Sequence, residues 1–99
     1  MIEQRKSRRF DLKLPLQVVR CGRSALRSRG ETRNLSSSGV LFSADAPVAI
    51  GDPVEYVITL PSDSPVSNVR LKCLGKVVRN DGQESAATLE RYEFVREPR

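Results

Sequence analysis

Val54-Glu55-Tyr56-Val57-Ile58-Thr59-Leu60 decides how the rest of this chain is read. Val54, Tyr56, Ile58 and Leu60 fall on one side of a two-residue period, and Glu55, Val57 and Thr59 on the other. Successive side chains of a strand point to opposite faces of its sheet, so this pattern predicts a strand with one buried face. Downstream, Pro61 to Ser67 is rich in Ser and Pro and reads as a loop. Val69, Leu71 and Cys73 then alternate with Arg70 and Lys72, and the phase runs on through Gly75 to Val77. Gly75 is placed to relieve a tight bend. Asn80-Asp81-Gly82 signals a turn. A last strand over roughly Ser85 to Val95 brings Tyr92 and Phe94 onto one face.

Upstream of the quoted stretch, Ala44 to Pro53 is a connection, with two Pro and a Gly51-Asp52 pair. Val40-Leu41-Phe42 is a strand segment that follows a turn over Ser36–Gly39, itself preceded by a strand from about Glu31 to Leu35. Cys21 to Gly30 is polar and Arg-rich, which predicts a loop. Leu12, Leu14, Leu16 and Val18 alternate with Asp11, Lys13, Pro15 and Gln17. Pro15 has no N–H for a ladder, so that strand is expected to be an edge there or to carry a bulge. Nowhere does an apolar stripe of helical period appear. The pattern predicts an all-β fold with little or no helix: a six-stranded antiparallel β-barrel, closed so that no edge is left open. It occupies residues 11–99, and residues 1–10 form an N-terminal basic arm.

With 99 residues the chain makes one domain, and 38% apolar content without Trp means a core of Leu, Val and Ile. The net charge of +5 is uneven. Residues 1–33 carry ten Lys/Arg against three Asp/Glu, and the remainder seven against nine. That asymmetry points to a local anion site, with a solvated basic tail as the plain alternative. The first residues hold no apolar core of a signal peptide, and no long apolar run follows, so neither export nor a membrane span is expected. A cytoplasmic setting with reduced thiols follows from that. Cys21 and Cys73 lack metal-ligand spacing, no metal site is expected, and Cys73 falls on an apolar phase as a small core residue. His is absent, which removes Ser-His and Cys-His pairs, and no phosphate-cradling G-x-x-x-x-G-K-[ST] loop exists. An enzyme is not expected.

Two short patterns remain. Arg5-Lys6-Ser7-Arg8-Arg9 reads as R-x-x-x-R, and Asn34-Leu35-Ser36-Ser37-Ser38-Gly39 as N-x-S-x-x-G. Guanidiniums grip phosphate oxygens bidentately and match the N7/O6 edge of guanine. A small polar turn offers Asn and Ser donors and acceptors, with a Gly that lets backbone come close. In this order, ahead of a β-rich sequence, the pair resembles the signature of the PilZ family of bacterial cyclic di-GMP receptor domains. The resemblance runs from Arg5 to the final strand.

It implies that cyclic di-GMP is the ligand, with no other cofactor, bound on the outside of the barrel. Arg5 and Arg9 would hold guanine edges and phosphates, Asn34 and Ser36 would hydrogen-bond guanine or phosphate, and Gly39 would permit the turn that shapes the floor. Where the family commonly has Asp, this chain has Asn34, whose amide both donates and accepts. Arg8 would add phosphate charge. Gln4 stands where a further Arg is linked to two stacked ligands, which favours one bound molecule. Ser37 and Ser38 read as turn residues, and Gly39 as either a φ > 0 position or a ligand contact. Arg33, beside Asn34 on a strand, is expected on the opposite face and solvated. The chain stops soon after the last strand, without the C-terminal helix that many members pack across a barrel mouth, and Ala86-Ala87-Thr88-Leu89 stands where a Gly-led strand is common. Both features bear on barrel closure and on whether the protein is a monomer or a homodimer. The expected mechanism is a switch: ligand binding orders the arm, and the ordered arm meets a downstream protein partner that the sequence does not name. Two other readings stay open: an adaptor that binds only protein, and a basic barrel that binds nucleic acid through phosphates. The latter is disfavoured by few outward aromatics and a basic excess that belongs to the N-terminal end of the chain.

Overall fold

The computed structural model describes residues 10–45, 48–61 and 67–98. All regular structure among them is antiparallel β. The strands are β1 (Pro15–Cys21), β2 (Ser24–Leu35), β3 (Gly39–Ala44), β4 (Pro53–Leu60), β5 (Ser67–Asn80), β6 (Ser85–Thr88) and β7 (Arg91–Pro98). None of the described residues forms a helix, so none makes one long and apolar enough to cross a membrane. The sheet runs β4-β1-β2-β3-β6-β5-β7, and a further β4–β5 pairing closes it into a six-stranded ring with β7 outside. The predicted barrel is therefore present, with one strand more than the six expected.

The extra strand comes from a break in the last one. β6 and β7 both run along one edge of β5, β6 opposite Val77–Asn80 and β7 opposite Ser67–Leu74, with Leu89 and Glu90 between them. The Glu90 N–H donates to the Leu74 carbonyl at 2.9 Å, and the Leu89 N–H to the Ser38 carbonyl at 2.9 Å. The interruption is thus hydrogen-bonded on both sides, not frayed.

A second difference lies between Cys21 and Gly30, where a loop was expected. The chain turns through Gly22 and Arg23 alone, and β2 starts at Ser24, facing Cys21. Its Arg27 and Arg29 are exposed while Ser28 is buried. A polar residue at an inward position hid the two-residue period. Pro15 behaves as predicted: it pairs with Glu31 of β2 and has no partner on β4.

The inward phases read from sequence build the core. Leu14, Leu16, Val18, Val54, Tyr56, Ile58, Leu71, Cys73 and Val77 are buried with Val40, Phe42 and Ala87. Leu12 belongs to the same phase but is exposed. The Phe42 and Tyr56 rings stack at the centre with centroids 6.3 Å apart. Tyr56 donates its hydroxyl to the Thr88 carbonyl at 3.0 Å. Burial pushes the Tyr56 phenol well above its ordinary range and the Cys73 thiol up to about 12. Both therefore stay neutral at physiological pH.

Gly39 and Gly75 flank the short β6 on its two sides. A Cβ on Gly75 would stand 1.7 Å from the Thr88 carbonyl oxygen, and one on Gly39 2.7 Å from that of Ala87. Gly75 thus serves close backbone approach, as expected of a tight barrel position. The φ > 0 reading of Gly39 is corrected: the glycines with positive φ are Gly22, Gly51 and Gly82. The β5–β6 turn at Asn80-Asp81-Gly82 forms as predicted. Asp81 accepts from the backbone N–H groups of Glu84 and Gln83 at 2.8 and 3.0 Å, which hold its carboxyl below the usual carboxylate range.

Candidate functional site

Asn34, Ser36 and Gly39 come together on the hairpin that joins β2 to β3. The Ser36 N–H donates to the Gly39 carbonyl at 2.9 Å, which closes the turn. The Ser36 hydroxyl sits within it, 3.3 Å from the Gly39 carbonyl, 3.3 Å from the Ser38 N–H and 3.2 Å from the Ser38 hydroxyl. Ser36 therefore shapes the turn whatever else it does. Ser37 and Ser38 are exposed turn residues, as their sequence suggested.

A β-bulge sets the direction of Asn34. Thr32 faces Phe42, and Asn34 faces Leu41, so Arg33 has no partner of its own on β3. Thr32 and Phe42 are fully buried, Leu35 faces buried Val40, and Asn34 and Leu41 are half-buried. One extra residue has advanced the alternation by one place. Had Arg33 taken a regular place in the ladder, Asn34 would follow Thr32 into the core. The expectation that Arg33 and Asn34 lie on opposite faces is corrected by the same bulge: both are on the barrel exterior. Arg33 is exposed, as predicted, and pairs with Glu84 across the β3–β6 seam at 3.4 Å.

The segment ahead of β1 is tied to this hairpin. Phe10 and Leu35 exchange both backbone bonds, each N–H to the other carbonyl at 2.9 Å. Leu35 is the residue between Asn34 and Ser36. Thr32 fixes the stretch from Phe10 to Leu14. Its N–H donates to the Leu14 carbonyl at 2.9 Å, its hydroxyl accepts from the Leu14 N–H at 2.9 Å, and the same hydroxyl donates to the Leu12 carbonyl. The sequence reading singled out neither Thr32 nor the Phe10–Leu35 junction. A Thr on a polar strand carries no signal of its own until its partners are known. Gln4, Arg5, Arg8 and Arg9 lie outside the described residues.

Asn34 is half-buried on the barrel exterior, and its amide offers both a donor and an acceptor there. Gly39 starts β3 opposite Thr88. A groove of about 720 Å³ exists elsewhere, on the outward face of β1, β4, β5 and β7, lined among others by Gln17, Val57, Arg70, Lys72 and Glu93. None of its lining residues belongs to either motif. The motif residues of the hairpin lie on the barrel exterior, with Ser37 and Ser38 exposed. That placement suits a ligand gripped from outside by further side chains.

Residues 3–97 match the PilZ domain family. The chain belongs to that family. No curated protein and no solved structure matches it. PilZ domains are cyclic di-GMP receptor domains, so the general role the family gives is binding and not catalysis. The match takes in both motifs and the closed barrel, and the β2–β3 hairpin of this PilZ domain is where N-x-S-x-x-G stands.

Proposed function

We propose that this PilZ domain is a cytoplasmic bacterial receptor for cyclic di-GMP, which it binds at the β2–β3 hairpin with Arg5, Arg9, Asn34, Ser36 and Gly39. One observation carries the reading: the reciprocal backbone pair between Phe10 and Leu35. Phe10 directly follows the R-x-x-x-R segment, and Leu35 lies inside N-x-S-x-x-G. Two motifs widely separated in sequence are in this way rooted at one point of the barrel wall.

The chemistry follows from the residue types. Cyclic di-GMP presents two phosphodiester charges and two guanine edges. Arg9 and Arg5 bring permanently charged planar forks, which serve a phosphate or the N7/O6 edge of guanine. Asn34 meets a purine edge with one donor and one acceptor surface, and adds no negative charge beside the phosphates. Ser36 contributes a hydroxyl already held in place by the turn. Gly39 keeps β3 close to β6, so that the floor beneath the ligand is backbone. Arg8 adds charge, and Gln4 in place of a further Arg favours a single bound molecule.

The response is carried by the arm. Phe10 is paired with Leu35, so within the 1–10 arm it is residues 1–9 that ligand binding orders against the barrel, and the ordered arm presents a new surface to a protein partner. Hydrogen exchange tests this step: amides of residues 1–9 gain protection at saturating ligand, and unchanged exchange there would refute it. Calorimetric titration with cyclic di-GMP tests the site. Removing one buried Arg contact weakens binding by about 2–5 kcal/mol, so Arg5→Ala/Arg9→Ala abolishes micromolar binding. GMP and a short single-stranded DNA serve as competitors. Salt-sensitive DNA binding without cyclic di-GMP binding would replace the reading with nucleic acid, and silence toward both would leave a protein-binding adaptor.

A further inference from the structure

β7 lies outside the ring and has a neighbour along one edge only. β5 pairs with it from Ser67 to Leu74, and nothing among the described residues pairs with its other edge. Such an edge offers a row of N–H and C=O groups to any strand that can lie beside it. Two large rings stand next to that row: Tyr92 is 58% exposed and Phe94 65%. They touch edge to face with centroids 5.9 Å apart. Both project from the face whose β5 neighbours, Cys73 and Leu71, are buried. The inner surface of the sheet therefore runs past the end of the core and emerges as an aromatic pair.

We propose that a second copy of this chain pairs its own β7 antiparallel to this edge, around a two-fold axis at Phe94. Symmetry restricts the register. Opposed pairs in an antiparallel ladder alternate between hydrogen-bonded and non-hydrogen-bonded types, so a two-fold axis has to pass through a residue that faces itself. An axis at Glu93 sets that carboxylate against its own copy, and an axis at Val95 sets Glu93 against Glu97. An axis at Tyr92 pairs only Arg91 to Glu93, and one at Arg96 opposes two guanidiniums. An axis at Phe94 pairs the whole of Arg91–Glu97 with no like charges opposed. There Arg91 faces the second copy's Glu97, Tyr92 faces its Arg96, Glu93 faces its Val95, and Phe94 faces Phe94. Pro98, which has no N–H to give, ends β7 where that register ends. The charges that would discourage foreign strands are thus complementary to themselves in the one register that also buries the rings.

Sedimentation velocity on the full chain over a micromolar concentration series reads the outcome. The expected result is a monomer–dimer equilibrium. Phe94→Glu places two carboxylates on the axis and raises the dimer dissociation constant on the order of 100-fold. Arg91→Glu and Glu97→Arg each oppose like charges at both ends of the ladder, and each alone weakens the dimer about 10-fold. Mixing those two variants restores association, because the introduced carboxylate then faces the introduced guanidinium while native Arg91 faces native Glu97. A folding defect would not be cured by mixing. Under mild oxidation Phe94→Cys forms a disulfide dimer, since directly opposed residues meet the spacing a disulfide needs. A monomer at every concentration overturns the proposal and leaves the edge to a strand of another protein. A dimer indifferent to Phe94→Glu, or charge variants that mixing does not rescue, overturns it as well.

Discussion

Ala87 of β6 is 2% exposed and Tyr92 of β7 58%, although both lie along the same edge of β5 and point the same way relative to the core. The smaller residue is inside and the larger outside. The difference lies in their neighbours. β6 is held between β3 and β5, while β7 has β5 alone. Hydrophobicity drives burial only where a second surface exists to bury against. In this barrel that surface ends at Leu89, where β3 has already turned away.

The comparison is best broken from the β6 side. Gly75→Val forces atoms into the Thr88 backbone and is expected to cost more than about 4 kcal/mol, enough to abolish the cooperative urea transition of a domain of this size. Gly39→Ala meets the Ala87 carbonyl less severely, and a loss of about 1–3 kcal/mol is expected in the same titration. Leu71→Ala opens a cavity beneath β7 and lowers stability by about 2–5 kcal/mol. Its cross-strand neighbour gives the contrast: Phe94→Ser, measured at concentrations too low for association, changes stability by less than about 0.5 kcal/mol. Equal effects at Leu71 and Phe94 would mean that β7 is covered after all.

A smaller effect probes the root of the arm. Thr32→Val keeps the shape of the side chain and the backbone bond to the Leu14 carbonyl, removes the hydroxyl's bonds to the Leu12 carbonyl and the Leu14 N–H, and leaves that buried N–H without its partner. A cost of about 1–3 kcal/mol is expected, together with faster exchange of the Phe10 and Leu35 amides. The smallest is a pH effect. The folded pKa of Cys73 is pushed up to about 12 from an ordinary 9.0. Its contribution is complete below the unfolded pKa and is lost as pH rises from there toward 12, because the unfolded chain ionises first. Tyr56, raised by burial, acts with the same sign. Stability measured from pH 8 to 11 therefore declines, and Cys73→Ala flattens the decline. In the folded protein at pH 8 the Cys73 thiol resists alkylation.

The barrel was legible because β1, β4 and β5 alternate cleanly, and one buried face per strand leaves few ways to close a small sheet. The first half of β2 was not, because Ser28 occupies an inward position and the Arg residues around it resemble a loop. The break between β6 and β7 was equally silent: it depends on where β3 stops, and a one-dimensional pattern does not hold that information. Of the site, the composition of the hairpin was legible and its orientation was not. Asn34 could be named, but its outward direction rests on a register slip relative to β3. Thr32 was overlooked because its three bonds go to Leu12 and Leu14, in a different part of the chain.

That slip makes the hairpin tolerant of the loss of one residue. Across Thr32–Leu35 the chain spends one residue more than the strand beside it. Deleting Arg33 alone would remove the bulge and keep the pairing, so that Asn34, now next to buried Thr32, would still face out opposite Leu41 and Leu35 would still face in opposite Val40. A descendant that lost this single codon would keep the motif letters and the direction they face, and would lose the ion pair between Arg33 and Glu84. Among relatives, the stretch before Asn34 can therefore be one residue shorter with no change in the surface that the motif presents.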